Sequence, residues 1–190
     1  MLFSSKISST VLAYLDELGA DLSPVYDQID LPVEFLKDSS YWIEAPKLEL
    51  LLKDLFALDH KKSISDLDLA HEIGLRVAEY RTWGALDSVL RMMPRPQELL
   101  LHPERFFSYF ISPPPPAESL VRTNESVEFD LPISSDQFPL VTAFLSGAFS
   151  ALPCFAGGQL GCSTWEGIHF AVSWSTGQTT LLPSKESTNH

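Results

Sequence analysis

The stretch Pro113-Pro114-Pro115-Pro116, followed by Leu120-Val121 and then by Val127-Glu128-Phe129-Asp130-Leu131, divides the chain in two. Before it, apolar residues recur at helical spacing. After it, they alternate with polar residues on either side of a turn at Asn124-Glu125, the pattern of two half-buried strands. Four consecutive prolines make a stiff, extended connector between the two regimes. Downstream, Pro139 opens a helix through Val141, Phe144, Leu145, Ala148, Phe149 and Leu152. Gly157-Gly158 marks a turn, and residues 159–165 and 168–174 read as a hairpin about Glu166-Gly167. The back half is therefore ββαββ.

Upstream, every period is helical. Val11, Leu12, Leu15 and Leu18 predict a first helix with Ser8-Ser9-Thr10 as its caps and Gly19 as its end. Residues 21–38 are short helical pieces punctuated by Pro24 and Pro32. Tyr41 to Pro46 leads into a helix carrying Leu48, Leu51, Leu52, Leu55 and Phe56. A further helix spans 66–80, with Gly74 inside it. Glycine there costs about 1 kcal/mol relative to alanine, which predicts close packing against another helix. A turn at Trp83-Gly84 precedes a helix over 85–93 that Pro94 and Pro96 stop, and 97–111 is helical with a break before Pro103. Helices segregated from strands predict an α+β fold, a helical N-terminal half packed on a small antiparallel ββαββ sheet. One domain over residues 1–177 is expected, with 178–190 as a polar tail or the start of a linker.

The bulk numbers narrow the function. The 190 residues are 45% hydrophobic and 20% charged, an ordinary globular composition. The net charge of -12 opposes binding to phosphate backbones and to anionic lipid surfaces. No basic start followed by a long apolar run marks a signal peptide, and no uninterrupted stretch of about 20 apolar residues is present. Two cysteines, Cys154 and Cys162, fit a reducing compartment, so a cytoplasmic protein is expected.

The catalytic inventory is thin. GxxxxGK[ST], GxGxxG after a strand, HExxH and GxSxG are all missing. Gly157-Gly158-Gln159-Leu160-Gly161 leads into a strand, whereas a phosphate loop leads into a helix N-terminus. Cys154 and Cys162 lie eight apart without a second pair, so no metal site is expected. His71-Glu72 reads either as a solvated helix face or as a histidine tuned by carboxylates. His102, within the apolar and aromatic run 99–110, reads either as a capping or loop histidine set by Pro103 or as a proximal haem ligand. Trp83, Phe106, Tyr109, Phe110 and Phe144 fall where the helical half meets the sheet and are the expected lining of an apolar ligand pocket.

Two resemblances bear on these residues. Asp68 to Glu79 and Trp83 to Leu90, with the strands over 126–133 and the helix over 138–152, resemble the effector-binding N-terminal domain of AraC-type regulators of the ornithine-utilisation kind. The likeness runs over roughly residues 10–175 and rests on spacing and apolar character. It implies an input domain whose output module, a helix-turn-helix or a histidine kinase, lies beyond His190. His102 followed by Pro113-Pro114, on a chain of this length and element order, is similar to the haem–nitric-oxide-binding domains, whose proximal histidine and downstream proline occupy such positions. That likeness implies haem on His102. Their Tyr-x-Ser-x-Arg motif, which grips the haem propionates, is expected over 127–135, and no arginine stands there.

The expectation is a cytoplasmic, non-enzymatic domain that senses a small molecule, without a resident cofactor, and regulates an output module. A haem-based gas sensor through His102 and an interaction or homodimerisation module are the alternatives. The latter would use the leucine stripe of 48–58 or the helix over 85–93.

Overall fold

The computed structural model describes residues 1–175. The polar run 178–190 and the last two residues of the expected domain lie outside the described residues.

The chain starts with a strand, β1 (Leu2–Ser4), that sits between β2 (Trp42–Glu44) and β3 (Ile111–Ser112) in an antiparallel three-stranded sheet. This sheet is absent from the sequence reading, which took Tyr41 to Pro46 as an approach to a helix. Strands of two or three residues carry no period, and their partners lie some 40 and 110 residues away along the chain.

Helix α1 (Lys6–Glu17) begins before its expected caps. Ser8, Ser9 and Thr10 are buried inside it rather than at its start, because their hydroxyls have partners elsewhere. Ser8 donates to the Leu36 carbonyl at 2.9 Å, Ser9 to the Thr82 carbonyl at 3.3 Å, and Thr10 meets the Thr82 hydroxyl at 2.7 Å. Gly19, at φ +67°, ends the helix as expected. Two short helices follow, α2 (Ser23–Tyr26) and α3 (Val33–Lys37). Helix α4 (Ala45–Phe56) takes Pro46 in its first turn and buries Leu48, Leu51, Leu52, Leu55 and Phe56.

The helix expected over 66–80 is two helices. Helix α5 (Asp66–Leu75) is capped by Ser65, whose hydroxyl accepts from the Asp68 amide, and α6 (Val77–Tyr80) follows after Arg76 leaves helical angles. No glycine or proline marks that break. At the break the Arg76 guanidinium reaches Glu79, three residues on, at 3.0 Å and Glu17 of α1 at 3.3 Å. Helix α7 (Ala85–Met92), a 3-10 turn (Pro96–Leu101) and α8 (Pro103–Phe107) complete the helical half, with the expected break at His102.

The second half matches its reading closely. β4 (Glu118–Arg122), β5 (Ser126–Asp130), β6 (Cys162–Glu166) and β7 (His169–Ser173) form an antiparallel sheet in the order β4-β5-β7-β6. Between the hairpins runs α9 (Pro139–Ser150), continued by a 3-10 turn (Leu152–Ala156). The run Pro139–Ala156 is long and apolar enough to cross a bilayer by length and composition, which corrects the expectation that no such stretch exists. Most of it is buried within the protein, so here it is the core helix.

Alternation sends Val127, Phe129, Trp165, Phe170 and Val172 to one face of the sheet, where they meet Phe107 and Phe149. Register pairs Phe129 with Phe170 and Phe170 with Trp165. The opposite side of α9 crosses α5 at glycine. A Cβ on Gly74 would lie 2.2 Å from the Phe144 carbonyl oxygen, and one on Gly147 would lie 2.1 Å from the His71 carbonyl oxygen. Each helix thus supplies the missing side chain that lets the other approach, which is the packing that Gly74 predicts.

Candidate functional site

The junction between the helical half and the sheet is built of rings. Trp83 stands in the link between α6 and α7, held between two residues with positive φ, Arg81 at +53° and Gly84 at +58°. Gly84 suits the backbone angle there, and a Cβ would come 2.7 Å from the Ser39 hydroxyl, which would have to turn aside. From this turn the indole enters the core, 1% exposed, with its centroid 5.0 Å from Phe110 and 5.8 Å from Phe155. Phe106 lies 5.5 Å from Phe110 and 5.2 Å from Phe149, and Phe110 lies 5.5 Å from Phe149. Trp83 stacks on Phe155, and the other contacts are edge-on or tilted, all at favourable separations.

Of the five residues expected to line a pocket, the structure brings Trp83, Phe106 and Phe110 into one cluster. Tyr109 is at its rim, 40% exposed, with its ring 6.2 Å from Phe106. Phe144 is fully buried on α9 but, among the described residues, makes none of the cluster's ring contacts. Phe149 and Phe155 complete the cluster. They were legible as core aromatics but had no feature marking them for this junction.

One polar atom in the cluster has no partner. The indole nitrogen Nε1 of Trp83 is fully buried and forms no hydrogen bond among the described residues. A buried donor without an acceptor costs roughly 1–3 kcal/mol. The cluster's outer wall is α7, which buries Leu86 and Leu90 and exposes Val89 and Met92. Arg91 latches that wall. It binds Asp87 at 2.9 Å, donates to the Ala78 carbonyl, and lies 5.2 Å from the ring centroid of Phe155. Helix α7 leans chiefly on the 3-10 turn Leu152–Ala156 and has solvent on its other side.

His102 lies outside this cluster's interior. It precedes α8 at φ −123° and ψ 69°, angles that Pro103 favours, and its side chain is exposed. A haem on His102 requires the imidazole to face an interior slot, and the space inside α8 is taken by Phe106, Phe110 and Phe149. On β5, where propionate partners are expected, Glu128 and Asp130 flank His169 at 3.7 and 2.8 Å, so that face carries carboxylates. The residues as placed do not fit the group. Cys154 and Cys162 are free thiols.

Among the described residues, a concave surface lies elsewhere. A groove of about 580 Å³ runs between α5 and β6 over α9, lined by Leu67, His71, Thr142, Ser146, Ser163 and Trp165 among others. His71 therefore faces a groove wall. At its floor, the Ser163 hydroxyl joins those of Ser146 at 2.7 Å and Ser150 at 2.6 Å.

Comparison with solved structures gives the fold a relative. The chain is similar to an H-NOX protein from K. algicida, solved in its Fe(II) unliganded form, with a TM-score of 0.60, 14% identity, and coverage of 92% of this chain and 98% of that one. A mutant of the same protein gives 0.58 and 16%, covering 90% of this chain and 95% of that one. The fold is H-NOX-like. No family profile and no curated protein matches the chain.

Proposed function

We propose that the chain is a cytoplasmic sensory input domain that takes a small, neutral, largely apolar molecule bearing one hydrogen-bond acceptor into the aromatic junction beside Trp83. The observation that carries this reading is the buried, unpartnered Trp83 N–H in the aromatic junction beside α7. Likeness to H-NOX proteins supports a sensor-type fold. The thin catalytic inventory favours binding over catalysis, and the AraC-type resemblance supports a role that regulates an output module, a histidine kinase or a transcription regulator.

The mechanism is a two-state shift of α7. With the junction closed, the rings pack on one another and the indole donor goes unsatisfied. A ligand that offers an acceptor and apolar surface favours a conformation with α7 displaced and the Arg91 latch released. Moving such an equilibrium from 1:99 to 99:1 takes about 5.5 kcal/mol of differential affinity. Satisfying the N–H supplies roughly 1–3 kcal/mol of that. The remainder has to come from apolar contact with the rings, which is why the ligand is largely apolar.

The test is a thermal-shift screen of neutral metabolites followed by calorimetry on the hits. Hits are expected to bind the Trp83→Phe variant about tenfold more weakly, the equivalent of about 1.4 kcal/mol. A silent screen, or hits indifferent to Trp83, removes the proposal. Haemin is included as one probe: a stoichiometric Soret band that disappears in His102→Ala would replace this reading with a haem sensor.

A further inference from the structure

The geometry points to a second surface, a docking groove for a basic amphipathic helix of a partner protein, formed where α4, α5 and the start of α9 converge. This cleft has a volume of about 670 Å³. Its floor is Phe138, Pro139 and Leu140, and its walls carry Leu50 from α4 and Leu67 from α5. These leucines are 60% and 47% exposed, although each lies on a helix whose other apolar residues are largely buried. The cleft shares Leu67, Asp136 and Pro139 with the groove over α9, so the two form one continuous channel.

Charge decides the occupant. The channel's lining includes the carboxylates of Glu49, Asp66, Asp136 and Glu166 against one lysine, Lys53. Glu49 is already engaged, accepting from the amides of Leu140 at 2.7 Å and Val141 at 3.0 Å, and Asp66 is held by Lys62 at 2.6 Å. Asp136 and Glu166 remain exposed at the rim. The apolar cleft at Leu50 and Leu67, with acidic groups along the rim and a polar continuation over α9, matches a helix that presents leucine-like anchors at i, i+3/i+4 and i+7 and lysine or arginine alongside. A second copy of this chain is a poor occupant, because each brings a net charge of -12. An anionic lipid surface is repelled for the same reason. The channel is separate from the junction at Trp83, so this inference stands or falls independently of the sensor reading.

The probe is a dye-labelled 14-residue peptide of leucine and lysine in amphipathic helical order, followed by fluorescence anisotropy against the whole chain. A control peptide carries glutamate in place of lysine. The lysine peptide is expected to bind, to weaken as salt rises, and to lose about tenfold in affinity with Leu50→Ser plus Leu67→Ser, and again with Asp136→Lys plus Glu166→Lys. All four positions are exposed, and circular dichroism verifies that the variants fold. Equal binding of the glutamate peptide, affinity unmoved by either pair of substitutions, or light scattering that shows a homodimer which Leu50→Ser plus Leu67→Ser converts to monomer would each overturn the proposal.

Discussion

At the scale of the residue, the informative side chains are polar groups in unusual places. Tyr14 donates to the buried Asp59 carboxylate at 2.7 Å. Burial, then the hydrogen bond to Asp59, pushes its hydroxyl from the ordinary 10.0 up to about 12. The folded protein therefore holds this proton more tightly than the unfolded chain, and the resulting stability is complete below pH 10 and lost as pH rises towards 12. In urea titrations the midpoint gap between the native protein and Tyr14→Phe is expected to be widest below pH 10 and to close by about pH 12. A gap that stays constant across that window would mean the pair has no linked proton. Glu49 shows a different kind of placement. Helix α9 has no side-chain cap of its own at Phe138, and a carboxylate from α4, 91 residues earlier, satisfies its first two free amides. Burial pushes this carboxyl up against the opposing pull of those two amides. Trp83 is the converse case, a donor whose acceptor is missing.

At the scale of the element, α5 and α9 cross in close contact, whereas α7 packs chiefly on one 3-10 turn. Gly74→Ala and Gly147→Ala each drive a methyl group into the partner's backbone, which cannot move aside as a side chain can. Each is expected to destabilise by about 3 kcal/mol, the upper end for overpacking. Gly157→Ala serves as the comparison: it meets open space but sits at φ +77°, so its cost is the left-handed conformation alone, about 1 kcal/mol. Urea midpoints of the three variants check the order. For α7 the expectation concerns dynamics. Its amides should exchange with solvent well before those of α9, since one side of it is bare and its tether is a pair of positive-φ residues. Exchange of α7 together with α9 in one cooperative step would show the latch to be part of the global core and would remove the basis for a moving wall.

At the scale of the whole molecule, a single aromatic network joins the helical half to the sheet. Phe107, fully buried on α8, lies 5.0 Å from Phe149 on α9, 5.8 Å from Phe129 on β5 and 6.0 Å from Trp165 on β6. Phe107→Ala is expected to cost about 3–5 kcal/mol and to loosen both halves together, so that helical and near-ultraviolet circular dichroism melt in one transition. Two separate transitions would mean that the halves fold as independent units. Tyr109, two residues on and 40% exposed, should tolerate alanine within about 0.5 kcal/mol.

The sequence by itself determined the division at Pro113–Pro116, the ββαββ back half, the helices carrying leucine stripes and the role of Gly74, because period, turn chemistry and the cost of glycine are local properties. Only the tertiary structure decided the three-stranded sheet, the interruption at Arg76, the cap that Glu49 lends to α9 and the acidic channel beside Leu50 and Leu67. It also decided which of the twelve phenylalanines share the junction with Trp83 and that His102 faces outward. Each of these depends on partners far apart along the chain, and a contact closed across a long loop leaves no trace in the residues on either side of it.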